Sequence, residues 1–152
     1  MYDDGMLDQR DLAILGALQA DARATFAEIG QKVGLAASTV HERVRRLERS
    51  GAIRAYRADV DPEPLGLFVT ALVSVMPLDP KQPDDLPVRV TEFPEVEACH
   101  SVAGDENYIL KVRTRTTSDL EDFLRRLREK AGVQTRTTVV LSTPFENRPI
   151  VR

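Results

Sequence analysis

Residues 25–51 read TFAEIGQKVGLAASTVHERVRRLERSG, and this stretch decides the fold of the first part of the chain. Thr25 followed three places on by Glu28 is a capping-box pattern, which predicts a helix from Phe26 to Val33. Gly34 tolerates a positive φ, so it ends that helix and permits a tight turn. The stretch therefore predicts one short helix that leads through a glycine turn into the next segment.

A further helix follows the turn, because Val40, Val44 and Leu47 recur at helical spacing and Gly51 offers a stop. In a helix-turn-helix the second helix projects polar side chains into the DNA major groove while its inner face packs on the first helix. Gly30 is small enough for the two helices to approach each other. The predicted inner face consists of Ile29, Val33, Leu35, Val40, Val44 and Leu47.

The outer face of this helix and the segment after it hold the candidate DNA-contacting side chains. Arginine and histidine can donate to base edges or phosphates, and Ser38 and Thr39 lie at the helix start, where free amides favour phosphate. Arg54 and Arg57 follow on a predicted strand that would extend the phosphate contacts as a wing. The candidate DNA-binding residues are Ala37, Ser38, Thr39, His41, Glu42, Arg43, Arg45, Arg46, Arg49, Arg54 and Arg57.

The arginines could instead form an ordinary solvated surface, paired with Glu42 and Glu48. The distribution of charge along the chain distinguishes this alternative from a DNA-binding face. The 152 residues carry a formal net charge of -3, which by itself gives no reason to expect nucleic acid. Residues 32–57, however, hold seven basic and two acidic side chains, a net of +5. The coincidence of this basic segment with the glycine-centred turn favours a DNA-binding face.

The segments before and after the helix-turn-helix complete a small first domain. Asp8 can cap an earlier helix with an apolar stripe, and residues 53–60 alternate like an extended strand. The proline-containing stretch from Asp61 to Gly66 is a natural hinge. We therefore predict a DNA-binding domain over residues 1–60, a hinge over 61–66 and a second domain over 67–152.

The second domain alternates between strand and helix patterns in the order βαββαβ, which is typical of a ferredoxin-like sandwich. Ser118 and Glu121 suggest a capping box that opens its last helix, and Gly132 suggests the end of that helix. The predicted strands cover residues 67–76, 96–102, 108–113 and 133–143, and the first helix covers residues 85–93. The expected fold class is α+β, with a winged helix-turn-helix followed by this sandwich.

Enzymatic chemistry finds no support in the residue patterns. A single cysteine, Cys99, excludes an internal disulfide framework and a multi-cysteine zinc site. Cys99 and His100 are neighbours on a predicted strand and so point to opposite faces, which places them poorly as nucleophile and base. No Ser/His/Asp set, phosphate-binding glycine loop or metal-ligand spacing occurs, so we predict no catalytic residue, metal or cofactor. No signal peptide or membrane span is indicated, and the expected location is the cytoplasm.

Several collinear motifs resemble the leucine-responsive and asparagine-responsive (Lrp/AsnC, feast/famine) transcriptional regulators. In the first half these are Leu7 to Leu15, Asp21 to Arg23, Val33 to Val40, Arg43 to Glu48 and Gly51 to Ile53. In the second half they are Gly104 to Leu110, at the position of an effector loop, and Gly132 to Thr137, at the start of the last strand. The second half is similar to the amino-acid-sensing (RAM-type) domain of that family.

The resemblance implies a regulator that binds double-stranded DNA and a free amino acid, and that associates with itself. Members of the family form dimers through the second domain and often assemble into octamers of four dimers. The effector lies between sensing domains of neighbouring dimers in such proteins. Carried over to this chain, the effector-binding residues are Gly104, Asp105, Glu106, Asn107, Tyr108, Thr135 and Thr137.

Three positions depart from the family pattern. The family usually has Asp where this chain has Asn107, and often an aromatic residue at Glu106, so the identity of the effector is left open. Ala36 replaces the usual Ser at the cap of the second helix of the motif, which leaves Ser38 or solvent to serve instead. The altered loop favours one alternative, an architectural protein that wraps DNA without sensing an amino acid. A tetrapyrrole-modifying enzyme on the same fold is a further alternative, but only His41 and His100 could line its pocket.

Overall fold

The computed structural model describes residues 7–79, 81 and 85–151, which divide into two compact units. The first unit contains the described residues up to Asp59 together with those from Phe145 onward, and the second contains the described residues between Val60 and Pro144. Residues 145–151, which the sequence pattern assigns to the second domain, thus belong to the first unit. The α+β fold class is confirmed, with helices in the first unit and a sheet with helices in the second.

Three helices form the first unit, α1 (Gln9–Ala20), α2 (Phe26–Val33) and α3 (Ala37–Arg49). The predicted caps at Asp8 and Thr25 are confirmed, since each side chain accepts from the backbone N–H three residues on and the reciprocal bond is also present. Gly34 ends α2 with a φ of 69°, as the glycine turn requires. The turn between α2 and α3 is therefore only three residues long.

The core of the first unit lies where the three helices meet. Five side chains there are at most 1% exposed, those of Ile14, Ile29, Val40, Val44 and Leu47. All of these except Ile14 belong to the predicted inner face of the helix-turn-helix, which is confirmed at these four positions. Val33 and Leu35 pack against this cluster as partly buried residues. α3 is thus held by a continuous apolar surface along one side.

The predicted strand over residues 53–60 is wrong, because this segment has no regular secondary structure. A strand needs a hydrogen-bonded neighbour for its backbone groups, and no strand of the described sheet pairs with this segment. Instead, Ile53 donates its N–H to Leu47 O and the Tyr56 hydroxyl donates to Glu48 Oε1, at 3.0 Å each. The predicted wing is therefore an extended loop fastened to the end of α3.

The C-terminal residues pack on the outer side of α1. The Val151 N–H donates to Gln19 Oε1 at 3.0 Å. A Cβ placed on Gly16 would lie 3.7 Å from Val151 Cγ1, which is ordinary van der Waals distance. Val151 is thus part of the packing of the first unit.

The second unit is a four-stranded antiparallel sheet of β1 (Val69–Pro77), β2 (Val96–Ser101), β3 (Tyr108–Thr114) and β4 (Val133–Val140). The strand order β2-β3-β1-β4 confirms the ferredoxin-like topology. The first helix continues into a 3-10 turn, Val90–Glu92, before β2. That first helix is α4 (Leu86–Arg89), between β1 and β2, and the second is α5 (Thr117–Ala131), between β3 and β4.

The core of the second unit lies between one face of the sheet and α5. Val73, Leu110, Phe123 and Leu127 are fully buried there. The opposite face of the sheet carries Leu72, which is 42% exposed. The sheet therefore offers one open face.

The last helix has its cap two residues earlier than the sequence pattern predicts. Thr116 caps α5 together with Asp119, so the predicted box of Ser118 and Glu121 is wrong. The pairs Thr116 with Asp119 and Ser118 with Glu121 are equivalent as capping patterns. A helix that starts at Thr117 forms more backbone hydrogen bonds than one that starts two residues later. With 15 residues α5 is the longest helix described, and none of the described helices is long and apolar enough to cross a membrane.

Candidate nucleic-acid interface and effector loop

α3 separates its side chains into a buried inner face and an exposed outer face. Val44 and Leu47 are each 1% exposed, whereas Arg45, Arg46 and Arg49 are exposed. An open depression on the outer face is lined by Thr39, Glu42, Arg43, Arg45, Arg46 and Arg49. Because guanidinium groups donate to phosphate oxygens and to guanine edges, this surface is suited to DNA.

The first turn of α3 lacks a side-chain cap. Ala36 occupies the N-cap position in extended conformation and makes no side-chain cap hydrogen bond, and Ser38 does not replace it. Ala37 and Ser38 are exposed and Thr39 is half-buried. The backbone N–H groups at this helix start are consequently left for an outside acceptor such as a phosphate oxygen.

His41 and Glu42 lie on the same outer surface in different environments. The His41 ring packs against Phe26 of α2, with 5.1 Å between ring centroids and an interplanar angle of 38°. This contact restricts the imidazole although His41 is exposed. Glu42 is exposed and contributes a negative charge to the basic depression.

Arg43 and Arg46 are bound to carboxylates at the start of α1. Arg43 Nη1 donates to Asp8 Oδ2 at 2.7 Å and to Asp11 Oδ1 at 2.8 Å, and Arg46 Nη2 donates to Asp11 Oδ2 at 2.6 Å. The pKa of Asp8 is lowered, first by the Asp11 backbone N–H and then by Arg43, and the pKa of Arg43 is raised by its bonds to the two aspartates. Two of the predicted DNA-binding arginines therefore also hold the helices together.

The structure does not bring Arg54 and Arg57 to the depression on α3. Both are exposed and line a separate groove of the first unit, together with residues of α1 and the C-terminal segment. Without a strand they have no fixed wing geometry. Their contact with DNA stays a prediction.

The predicted effector loop connects β2 and β3. Its ends are fastened where the Val102 N–H donates to Asn107 O at 3.1 Å and the Asn107 N–H donates to Val75 O at 3.2 Å. Asp105 is exposed, whereas Tyr108 is 7% exposed at the first position of β3. A small cavity of about 220 Å³ is lined by Ser101, Val102, Ala103, Gly104, Glu106, Asn107 and Tyr108.

Glu106 is fixed by partners on two other strands. Its Oε1 accepts from Ser74 Oγ at 3.0 Å and from Arg136 Nη2 at 2.5 Å. A Cβ on Gly104 would lie 3.5 Å from the other oxygen, Oε2, so that oxygen faces the loop. The pKa of Glu106 is lowered, first by its own backbone N–H, then by Ser74 and, more weakly, by Arg136. An ionised carboxylate therefore stands beside the loop cavity.

Thr135 and Thr137 lie on β4, across β1 from the loop. They pair with Val75 and Val73, so they lie on the helix-covered face of the sheet and are half-buried. Arg128 Nη1 donates to Thr135 Oγ1 at 3.3 Å. Within one chain the two threonines are thus not members of the loop cavity.

Three residues that organise these surfaces, Asp11, Ser74 and Arg136, are not among those predicted from the sequence. Asp11 stands three places after Asp8, which is capping-box spacing, but its arginine partners are more than thirty residues away in sequence. Arg136 alternates with the two predicted threonines on β4, so strand periodicity could have marked it as facing the opposite side of the sheet. Pairing across β1 brings it to Glu106.

Two family models together match most of the chain. The model described as the AsnC-type helix-turn-helix domain matches residues 7–48, and the one described as the Lrp/AsnC ligand binding domain matches residues 69–150. The first range contains all three helices of the first unit almost to the end of α3. The second contains the sheet and the predicted effector loop.

The relatives are transcriptional regulators. The HTH-type transcriptional regulator LrpA of Mycobacterium tuberculosis is 46% identical over 142 residues, covering 93% of this chain and 95% of that protein. A feast or famine regulatory protein from M. tuberculosis complexed with L-methionine superimposes with a TM-score of 0.93 at 44% identity, covering 96% and 99% of the two chains. A transcriptional regulator from Neisseria meningitidis in complex with L-methionine gives a TM-score of 0.88 at 29% identity over 95% and 96%.

Proposed function

Because this chain belongs to the Lrp/AsnC family of helix-turn-helix transcriptional regulators, we propose that the outer face of α3 is its DNA-reading surface. The observation that carries this proposal is the separation of α3 into a buried apolar side and an exposed side with Arg45, Arg46 and Arg49. The uncapped first turn at Ala37 and Ser38 adds backbone donors for a phosphate. Arg43 serves chiefly as an anchor to α1, since its side chain is only 22% exposed.

The protein acts as a homodimer that pairs through the open face of the second unit. Leu72 at 42% exposure and half-buried Ile109 give that face apolar surface. Lys111 and Arg113 on the same face are bound to Glu97, so their charges are compensated within the chain. Four such dimers would form the octamer that the family resemblance implies. The protein would act in the cytoplasm.

Selection from a random DNA library tests whether the dimer binds a DNA site with two-fold symmetry. The whole protein is incubated with a random double-stranded DNA library, and bound fragments are amplified over several rounds. A dimer should enrich pseudo-palindromic sequences whose half-sites are separated by roughly 10–10.5 base pairs or a multiple of that spacing. Enrichment of flexible or A-tract sequences without a palindrome would instead support the architectural alternative.

We also propose that the loop between β2 and β3 binds a free amino acid, with Glu106 Oε2 accepting from the ammonium group. The carboxylate is held in place by Ser74 and Arg136, and turn amides near Gly104 can donate to the ligand's carboxylate. Asp105, Asn107 and the buried Tyr108 complete the loop. Thr135 and Thr137 would enter the site from a neighbouring dimer, since they do not line the cavity of their own chain.

Calorimetry distinguishes a sensing protein from an architectural one. L-Methionine is the first probe because two similar proteins are complexed with it, and the other amino acids follow. Glu106→Gln should weaken the binding of the best ligand by roughly tenfold or more, because a neutral amide forms a weaker bond to an ammonium group. The control, Asp122→Asn on the exposed side of α5, should change affinity less than about twofold. Flat titrations with all twenty amino acids would contradict the sensing role.

A further inference from the structure

The first turn of α1 presents two carboxylates in fixed positions. Asp8 Oδ1 accepts from the Asp11 N–H at 2.7 Å, and Asp11 Oδ2 accepts from the Asp8 N–H at 3.2 Å. Asp11 is 2% exposed, which is unusual for a charged side chain on a small helical unit. The reciprocal capping bonds therefore fix the orientation of a buried negative charge.

Two arginines of α3 use this charge in different ways. Arg43 is only 22% exposed and donates to both aspartates, so it serves as the anchor. Arg46 donates one bond, from Nη2 to Asp11, and its side chain remains 57% exposed. Since a guanidinium group carries further N–H donors on its other nitrogens, Arg46 is tethered at one end and open at the other.

The tether restricts Arg46 before any DNA is present. A long flexible side chain loses rotamer freedom when it binds, and a side chain already held in place loses less. Exposed Arg45, one position earlier on α3, has no such carboxylate partner among the ion pairs of the described residues. The two neighbouring arginines thus differ in how far their geometry is set in advance.

We propose that Asp11 is a positioning residue that orients Arg46 for a base edge and thereby contributes to sequence specificity. The proposal rests on the proposed function, in which the outer face of α3 reads DNA. Asp11 does not touch DNA itself, since it is buried at the base of the arginine cluster. Its negative charge opposes phosphate attraction slightly, so its contribution is to discrimination between sequences rather than to general affinity.

Asp11→Asn tests whether Asp11 affects discrimination between sequences and not general affinity. The substitution keeps the size of the side chain and one acceptor oxygen while removing the charge. Affinity is measured for the selected DNA site and for a scrambled duplex of equal length. The ratio of the two affinities should fall roughly tenfold, with binding to the scrambled duplex unchanged or slightly stronger. An equal loss on both duplexes would show a merely structural role and overturn the proposal.

A double-mutant cycle shows whether the effect passes through Arg46. In an Arg46→Ala background, Asp11→Asn should change the ratio less than about twofold, whereas in an Arg45→Ala background it should keep its full effect. Equal effects in both backgrounds would overturn the proposal. The single variant Arg46→Ala must itself bind the selected site more weakly. If its affinity is unchanged, Arg46 does not contact DNA and the proposal is overturned.

NMR of the wild-type protein keeps the proposal falsifiable even if Asp11→Asn does not fold. The side-chain Nε–H of Arg46 in the DNA-free protein should show a higher order parameter than that of Arg45. Equal mobility of the two side chains would overturn the tether. Because this measurement involves no DNA, it distinguishes a failed tether from a failed assignment of the DNA-reading surface.

Discussion

Replacing Arg45 and Arg46 together with alanine is expected to lower the affinity for the selected DNA site by at least roughly 30-fold. Each arginine that contacts a base or phosphate contributes about 1–3 kcal/mol, so the pair contributes about 2–6 kcal/mol. Both side chains are exposed on the outer face of α3, on the side opposite the apolar core. Their removal breaks the Arg46–Asp11 ion pair but leaves the apolar contacts of α3 in place, and Arg43 still pairs with Asp11.

Fluorescence anisotropy with a labelled duplex at several salt concentrations measures this effect, and far-UV circular dichroism checks that the helices are retained. The slope of log affinity against log salt should become shallower by about one for each phosphate that the variant no longer neutralises. Arg115→Ala with Arg125→Ala is the matched control, since it removes two exposed positive charges from the second unit. If that pair weakens binding as strongly, the affinity reflects total charge and α3 is not the reading surface.

Most of the helical unit could be predicted from the sequence because its signals are local. Thr25 with Glu28, and Gly34 with its positive φ, act within one turn of backbone. The same locality explains two errors. Residues 53–60 alternate like a strand but have no neighbour to pair with, and Ser118 competes with an equivalent capping pattern that starts at Thr116. Periodicity describes a segment, while pairing depends on what lies beside it.

The DNA-binding surface and the effector loop could be predicted only as far as their signals are local in sequence. The basic side of α3 follows from helical periodicity and charge, and the structure bears out its exposure at Arg45 and Arg49. The bond between buried Asp11 and exposed Arg46 could not be predicted, because it joins residues 35 positions apart. Likewise, the sheet register brings Arg136 to Glu106 from 30 positions away. Long-range ion pairs of this kind can be identified only from the tertiary fold. They determine which charged side chains on each surface are already bound within the protein.

Gly30→Ala is expected to destabilise the first unit by about 1–3 kcal/mol, although alanine is the better helix former. A Cβ at this position would lie 2.4 Å from Leu35 O, a backbone atom that cannot rotate away. Carbon and oxygen atoms prefer separations nearer to about 3.5 Å, so the turn would have to move by about 1 Å. Because Leu35 is two residues before Ala37, a shift of the turn also displaces the start of α3 and should weaken DNA binding as well.

Gly16→Ala is the matched substitution, since it makes the same chemical change in the neighbouring helix α1. There the new Cβ meets only Val151 Cγ1, at 3.7 Å, so the gain in helix propensity of about 0.5–1 kcal/mol should remain. Urea unfolding of the two variants should therefore give changes of opposite sign. Stabilisation by both would mean that α2 and the turn before α3 are not in close contact. The opposite signs would show that Gly30 is required by the approach of the turn and not by the conformation of α2.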